Sequence, residues 1–514
     1  MRVSATSPVP RSTLAGDAAI AFALAIGASL FYRIAWPAAP GRDFSTYVYY
    51  YVDMWTSAPT YTMLMAYRTP LTPLFIGGLT ELGGAPLVAI AMATCYAIVV
   101  ASTYLVGAFW HRQAGWVAAA ALILYPGYAG FFHEIGSDML FGTAFMAWAA
   151  AICWTTTRQT PRAYALHAVC VCVLTLIRPV GQCFLSFMFF PWVVPHLATR
   201  ARIRCSLAFL TTAVALLAVW STYNAVRYDD FTVSRGGGAI TPLYRILTVE
   251  RIVRPENGPA SAELARAVEA DLLTHEPYVS YGVDERAVFA AAGPRIWSDF
   301  VALSDRTFGW RSDHALLRRV AFEALRAHPG PYVRDVAHDL AAMLGLTGYG
   351  SAAPGAPPPA SPPAPPVMTT PVLPPVPTKG QLIPYSYVWW LASSPDGHRP
   401  PEVMPNEARV RRITDALRYA VGSPTLAKAL NRAGQLFPPP IVWLIVGCAG
   451  TWTAAGLRPR VLLALVGLAA PVLLASVAGQ DLVFQYRFPF DPLFIAFGAA
   501  GFVRDGLRRP AEPS

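Results

Sequence analysis

Hydrophobic residues fill most of this chain in runs that show neither the alternation of a strand nor the one-sided stripe of a soluble helix. The first, Ala18 to Trp36, is about 20 residues long, enough at about 1.5 Å per residue to cross a hydrocarbon layer of about 30 Å. Comparable runs cover Ala85 to Trp110, Trp116 to Phe132, Met139 to Thr155, Ala163 to Ile177, Cys183 to Leu197 and Ser206 to Val226. After a long polar interval come Pro440 to Gly456, Val461 to Ala478 and Pro489 to Val503. The pattern predicts an all-α polytopic membrane protein, a bundle of about ten transmembrane helices. The first run lacks a small-residue cleavage site and reads as a retained signal anchor. Segment 70–84 is short and broken by Pro and Gly, which predicts a juxtamembrane or re-entrant helix packed on protein.

The polar breaks divide the chain further. Residues 1–226 form an N-terminal transmembrane module whose first loop, 37–68, is the first long departure from apolar sequence. Residues 227–353 carry helix-like patterns such as SAELARAVEADLL and read as a helical extracytoplasmic segment. Residues 354–378 are Pro-rich and nearly free of charge, which predicts an extended polyproline-type linker. Residues 379–438 form a second extracytoplasmic piece. Its Tyr385, Tyr387, Trp389 and Trp390 fit an interfacial belt, a carbohydrate-stacking surface or ordinary packing. Residues 439–514 return the chain to the membrane and end in a basic tail.

Composition agrees with this class: 54% of the 514 residues are hydrophobic and only 14% charged, more apolar surface than a soluble domain can use. A net charge of +10 would suit a nucleic-acid partner, but Arg supplies nearly all of it, in short clusters that border the apolar runs. That distribution is a topology signal and excludes a nucleic-acid patch. With about ten spans, Arg2, Arg11, Arg112, Arg158, Arg162, Arg200, Arg202, Arg204, Arg458, Arg460, Arg504, Arg508 and Arg509 fall on one side. Both termini are then cytoplasmic in a plasma-membrane protein, and loop 37–68, the His133–Asp138 turn, Arg178, residues 227–438 and the Gln480–Arg487 turn face outward. The seven cysteines all lie within apolar runs, so no disulfide framework or CxxC metal site is indicated. Few charges fall within the spans and the halves are not inverted copies, which weakens a secondary-transporter reading.

Candidate chemistry gathers on the outer face. Asp43 precedes a tyrosine-rich helix; it reads as an N-cap, as a carboxylate that takes a proton from an acceptor hydroxyl, or as both. Asp53, ten residues on, points away from Asp43 and reads as a solvated acid. A second carboxylate would come from the HEIGSD turn, where Glu134 and Asp138 share a face if the turn is helical, with His133 beside them. Asp138 also reads as a cap. The same three groups could take a divalent ion, but their spacing demands neither metal nor cofactor. Arg68, Arg178 and Arg487 end or border apolar runs on this side, against the cytoplasmic bias of the other arginines. Each reads either as a snorkelling anchor or as a planar guanidinium that grips a lipid phosphate.

The order of these parts resembles a known family. Asp43 with Tyr47 after the first span, YRTPLTPLF, SDMLF, LIRPVG, NAVRYDDFTVSRGG and QYRFPFDPLF are similar to the GT-C superfamily of glycosyltransferases. Within it they resemble the family 39 and RgtA/B/C/D-like members that depend on polyprenyl-phosphate sugars. The resemblance covers roughly 15–245 and 440–503; HPGPYV at 328–333 is a further family-like feature. It implies a GT-C-like bundle that transfers a sugar from a polyprenyl-phosphate donor to an extracytoplasmic glycan, lipid or protein hydroxyl. It further implies Asp43 as catalytic acid; Asp138 and Glu134 remain the candidate partner acids read from the HEIGSD turn. Arg178 and Arg487 fall near its donor-phosphate positions, and Tyr47 and Arg68 join them as substrate-binding candidates. Phe44 follows Asp43, so the paired Asp-Glu of protein mannosyltransferases is not carried over. A transporter or flippase for lipid-linked glycans, or a non-catalytic envelope scaffold, would use the same arginines without making a glycosidic bond.

Overall fold

A computed structural model describes residues 11–41, 43–55, 68–156, 159–195, 197–235, 240–274, 278–290, 314–346, 407–417, 422–451, 457–480 and 483–507, with residues 300, 303, 304, 307 and 308. The Pro-rich linker 354–378, the aromatics Tyr385 to Trp390, residues 56–67 of the first loop, and Arg2, Arg158, Arg508 and Arg509 lie outside the described residues.

The described structure is 84% helical, and six helices are long and apolar enough to cross a membrane. These are Ser12–Ala35, Leu71–Trp110, Ser137–Thr155, Thr199–Tyr228, Pro424–Thr451 and Leu457–Gly479, with the shorter apolar helix Pro161–Ile177 beside them. Large apolar side chains stay exposed along their outer faces, among them Ile20, Leu24, Leu30 and Ile34 on the first helix and Val214, Val219 and Val226 on the fourth. Such stripes belong against lipid. The chain is an α-helical, membrane-embedded protein.

Among the described residues six helices meet the length of a span, and the other expected runs are shorter or broken, mostly at proline. The run Trp116–Phe132 divides into helices Arg112–Ile123 and Pro126–Phe131. The Pro126 ring forces Tyr125 into an extended conformation, which ends the first helix. The run Cys183–Leu197 is replaced by a 3₁₀ segment, Pro179–Trp192, flanked by Pro179 and interrupted by Pro191. At about 2.0 Å rise per residue it reaches farther than an α-helix of equal length. Segment 70–84 is helical as expected, and a kink at its end sets it off from the span that follows. Only Gly84, at φ 64° and ψ −160°, breaks the helix Leu71–Trp110. The last part of the expected outer piece, Pro424–Gln435, is a helix of its own, capped at Leu436 and followed at once by helix Pro440–Thr451.

Helices Pro440–Thr451 and Asp491–Leu507 pack glycine on glycine. A Cβ on Gly501 would overlap the Val446 carbonyl, and one on Gly450 would overlap the Gly501 backbone. Where lipid is as apolar as the side chains, this close approach is what favours association. Gly501→Leu therefore overpacks the interface and should cost about 1–3 kcal/mol, read as a lower melting temperature in detergent; an unchanged melt would remove the glycine contact as a determinant.

The polar interval builds a second core from Leu243, Leu247, Leu264, Val268, Phe289, Leu317 and Val320. It docks on the end of helix Leu457–Gly479 through directional bonds. Arg245 donates to the carbonyls of Val477 (2.7 Å) and Gln480 (3.1 Å) while pairing with Glu250 and Asp339 (2.7 Å each). Tyr332 of HPGPYV donates to the Ala478 carbonyl at 2.7 Å, which gives that motif a docking role. His314 is fully buried beside this core, and burial together with the charge of Arg235 pushes its imidazole down to about 3. The unfolded chain binds the proton first, at the ordinary imidazole value of about 6.5, so stability is full above that pH and falls as the pH drops below it. The loss should be roughly 1 kcal/mol per pH unit, seen as a lower melting temperature at pH 5 than at pH 7.5, and His314→Gln should flatten it.

Candidate functional site

Four segments distant in sequence meet at one end of the bundle. The link is a short parallel pair: Ala39–Pro40 runs beside Glu134–Ile135, with Ala39 N donating to the His133 carbonyl and Gly41 N to the Ile135 carbonyl. Gly41 has no room for a side chain, since a Cβ would lie 2.9 Å from the Ile135 oxygen. The pairing sets the start of helix Phe44–Met54 against the turn that opens helix Ser137–Thr155.

Asp43 stands at the head of the first of these helices with φ 61°, a left-handed conformation that Asp tolerates better than most residues. Its side chain makes no capping bond, so the cap reading does not hold. The carboxylate instead pairs with Arg68 at 2.9 Å. The guanidinium of Arg68 lies 5.3 Å from the centre of the Tyr47 ring, and the Tyr47 hydroxyl donates to Ser137 Oγ at 2.9 Å. Next to Ser137, Asp138 is ion-paired with Arg178. Arg178 in turn lies over the Tyr486 ring at 4.9 Å, and the Tyr486 hydroxyl donates to Gln480. Tyr486 also lies within electrostatic reach of Arg68, which links the two pairs. The Arg68–Asp43 pair is 30% and 40% exposed and the Arg178–Asp138 pair 20% and 17%, which leaves the first pair the more open.

The expected turn geometry is corrected. Residues 134–135 are extended and Gly136 is extended after them, so Glu134 and Asp138 do not share a helical face. Glu134 accepts from Gln485 Nε2 at 2.9 Å, and burial raises its carboxyl above the usual range. His133 is buried beside it. Burial and the charge of Arg33 lower its imidazole to about 4, so it stands neutral and adds no cation to the site. Among the described residues no three His, Cys, Asp or Glu side chains gather closely enough to hold a metal ion.

Two further expectations move. Asp53 is not solvated: it is 2% exposed, and Arg227 donates to its carbonyl at 3.0 Å. Arg487 is drawn inward and lies 2% exposed. Its Nε and Nη2 bind the Asp491 carboxylate at 2.9 and 3.1 Å, and its Nη1 donates to the Met343 carbonyl at 2.9 Å. That arrangement ties the last helix to the polar module and turns the guanidinium away from the open pairs. Sequence reasoning passed over Tyr486, Gln485 and the bridging role of Ser137. The only signal for the first two was their place beside Arg487 in QYRFPFDP.

The arrangement presents two cations, two carboxylates and two aromatic faces at a membrane-embedded helix bundle. It suits an anionic ligand whose charge lies beside a group that must lose a proton. Comparison with protein-family models, with characterised proteins and with solved structures finds no match to this chain.

Proposed function

We propose that the chain is a membrane glycosyltransferase of GT-C type that moves a sugar from a polyprenyl-phosphate donor to a hydroxyl of an envelope glycan, lipid or protein. The observation that carries this reading is the convergence of Asp43, Arg68, Asp138 and Arg178, from four separate segments, on one face. The acceptor oxygen attacks the anomeric carbon through an oxocarbenium-like state as the bond to the phosphate oxygen breaks. The polyprenyl phosphate leaves with the bonding electrons. Arg68 and Arg178 stabilise its charge, and Asp43 takes the acceptor proton. Single displacement inverts the anomeric centre. Glu134, protonated more readily than an ordinary glutamate and held by Gln485, lines the acceptor side. In this reading the site faces the extracytoplasmic side of the plasma membrane and both termini are cytoplasmic, following the arginine bias.

The test is transfer by purified protein in nanodiscs, supplied with a panel of polyprenyl-phosphate sugars and an envelope extract. Donor consumed in step with a new, inverted glycosidic bond supports the reading. Retained stereochemistry removes the single displacement, and donor that crosses the bilayer unconsumed favours a transporter instead.

A further inference from the structure

The two arginines that suit a phosphate are the same two that hold the candidate acids. A carboxylate neutralised by a guanidinium is a weaker proton acceptor than a free one, because the nearby cation stabilises its ionised form. As they stand, Asp43 is occupied by its ion pair with Arg68 and Asp138 by its ion pair with Arg178.

We propose that Arg68 and Arg178 exchange partners on donor binding, each giving up its carboxylate for a phosphate oxygen, so that capture of the lipid phosphate and release of the acids are one event. This rests on the donor reading above and adds to it how the site is held off until the donor arrives.

Three features support exchange over simple occupation. First, phosphate and carboxylate oxygens compete for the same planar fork of donors, and arginine binds either in the same manner. Second, both guanidiniums have supports that stay when the carboxylate leaves. Tyr47 is fixed through Ser137, and Tyr486 through Gln480, neither of which is an acid. Third, the pairs are open enough for a ligand to reach, unlike Arg487–Asp491, where the same chemistry is 2% and 4% exposed and serves the fold. The order of exposure also ranks the two pairs. Arg68 should exchange first, and the more enclosed Arg178 should show the larger effect when released in advance.

The experiment is a double-mutant cycle on the full chain in nanodiscs, with farnesyl phosphate as the probe and inorganic phosphate as a second arm. Wild type, Asp43→Asn, Arg68→Gln and the double variant are compared by calorimetry, and the cycle is repeated with Asp138→Asn and Arg178→Gln. Exchange predicts that Asp43→Asn tightens farnesyl phosphate binding by about 1.5- to 5-fold, the worth of a partly exposed pair, and Asp138→Asn by more. Arg68→Gln weakens it, and Asp43→Asn then has no effect, because no guanidinium remains to be released. If Asp43→Asn tightens binding equally with and without Arg68, it acts through its long-range field alone and exchange is overturned while the phosphate site stands. A folded wild type that binds neither probe overturns the donor reading and exchange together. Inorganic phosphate binding as tightly as farnesyl phosphate would overturn the lipid headgroup as the partner.

Discussion

Asp43→Asn lowers sugar transfer by about 10²- to 10⁴-fold, the usual contribution of a positioned general base, while leaving the protein folded. The substitution is chosen for the backbone as much as for the chemistry. Position 43 has φ 61°, and asparagine is among the few residues that accept that conformation without large strain. Asparagine keeps the shape of the side chain while both the charge that pairs with Arg68 and the proton acceptor are lost. The measurement is kcat and KM with saturating donor, alongside a melting curve. A loss in kcat with an unchanged melt and retained donor binding assigns the base. A variant that transfers normally would move the role to Glu134 or Asp138, and loss confined to KM would make Asp43 a binding group.

Asp491→Ala is expected to destabilise the protein by about 3–5 kcal/mol, the range for removing one partner of a buried ion pair. The pair is among the most enclosed in the molecule, at 2% and 4% exposure, and Arg487 takes both carboxylate oxygens. Without the carboxylate, a guanidinium bonded to the Met343 carbonyl would remain buried beside Phe484 and Phe488 with its Asp491 counter-charge removed. Because a well-packed apolar pair often replaces a buried ion pair at little loss, Arg487→Met with Asp491→Leu should recover most of the stability. Thermal unfolding in a single detergent distinguishes these cases. A double variant as unstable as Asp491→Ala would show that the charges themselves, beyond mutual neutralisation, hold the last helix to Met343.

Much of the architecture was legible without coordinates because the bilayer imposes a length rule. A run of about 20 apolar residues has few other places to go, so Ala18–Trp36, Met139–Thr155, Ser206–Val226 and Val461–Ala478 each reappear as long helices at nearly the expected positions. The runs that do not appear as long helices satisfy the apolar rule but carry prolines. Pro126 and Pro191 interrupt hydrogen bonding where hydropathy registers only apolar character. Gly84 marks a boundary that was legible, since its non-helical backbone separates the helix of segment 70–84 from the span that begins at Ala85. Asp17 was also missed. It sits in the first span, paired with Arg112 at 2.6 Å and accepting from Tyr104 at 2.5 Å, although Arg112 looked like a simple cytoplasmic anchor.

At the site, residue type was legible and partnership was not. Acids and arginines stranded at the ends of apolar runs are few, and their desolvation penalty makes them conspicuous, so Asp43, Arg68, Glu134, Asp138 and Arg178 could all be named. Spacing along the chain cannot say that Arg68 returns to Asp43, that Arg178 reaches Asp138, or that Arg487 turns inward to Asp491 four residues on. Those choices follow from the parallel pair at Ala39 and Glu134 and from which guanidinium is enclosed. By itself the sequence determined that the chain lies in a membrane and which side chains carry charge there, because burial in lipid is decided residue by residue. Only the tertiary structure decided which charge meets which, because a partner many residues away is selected by packing and not by any local preference.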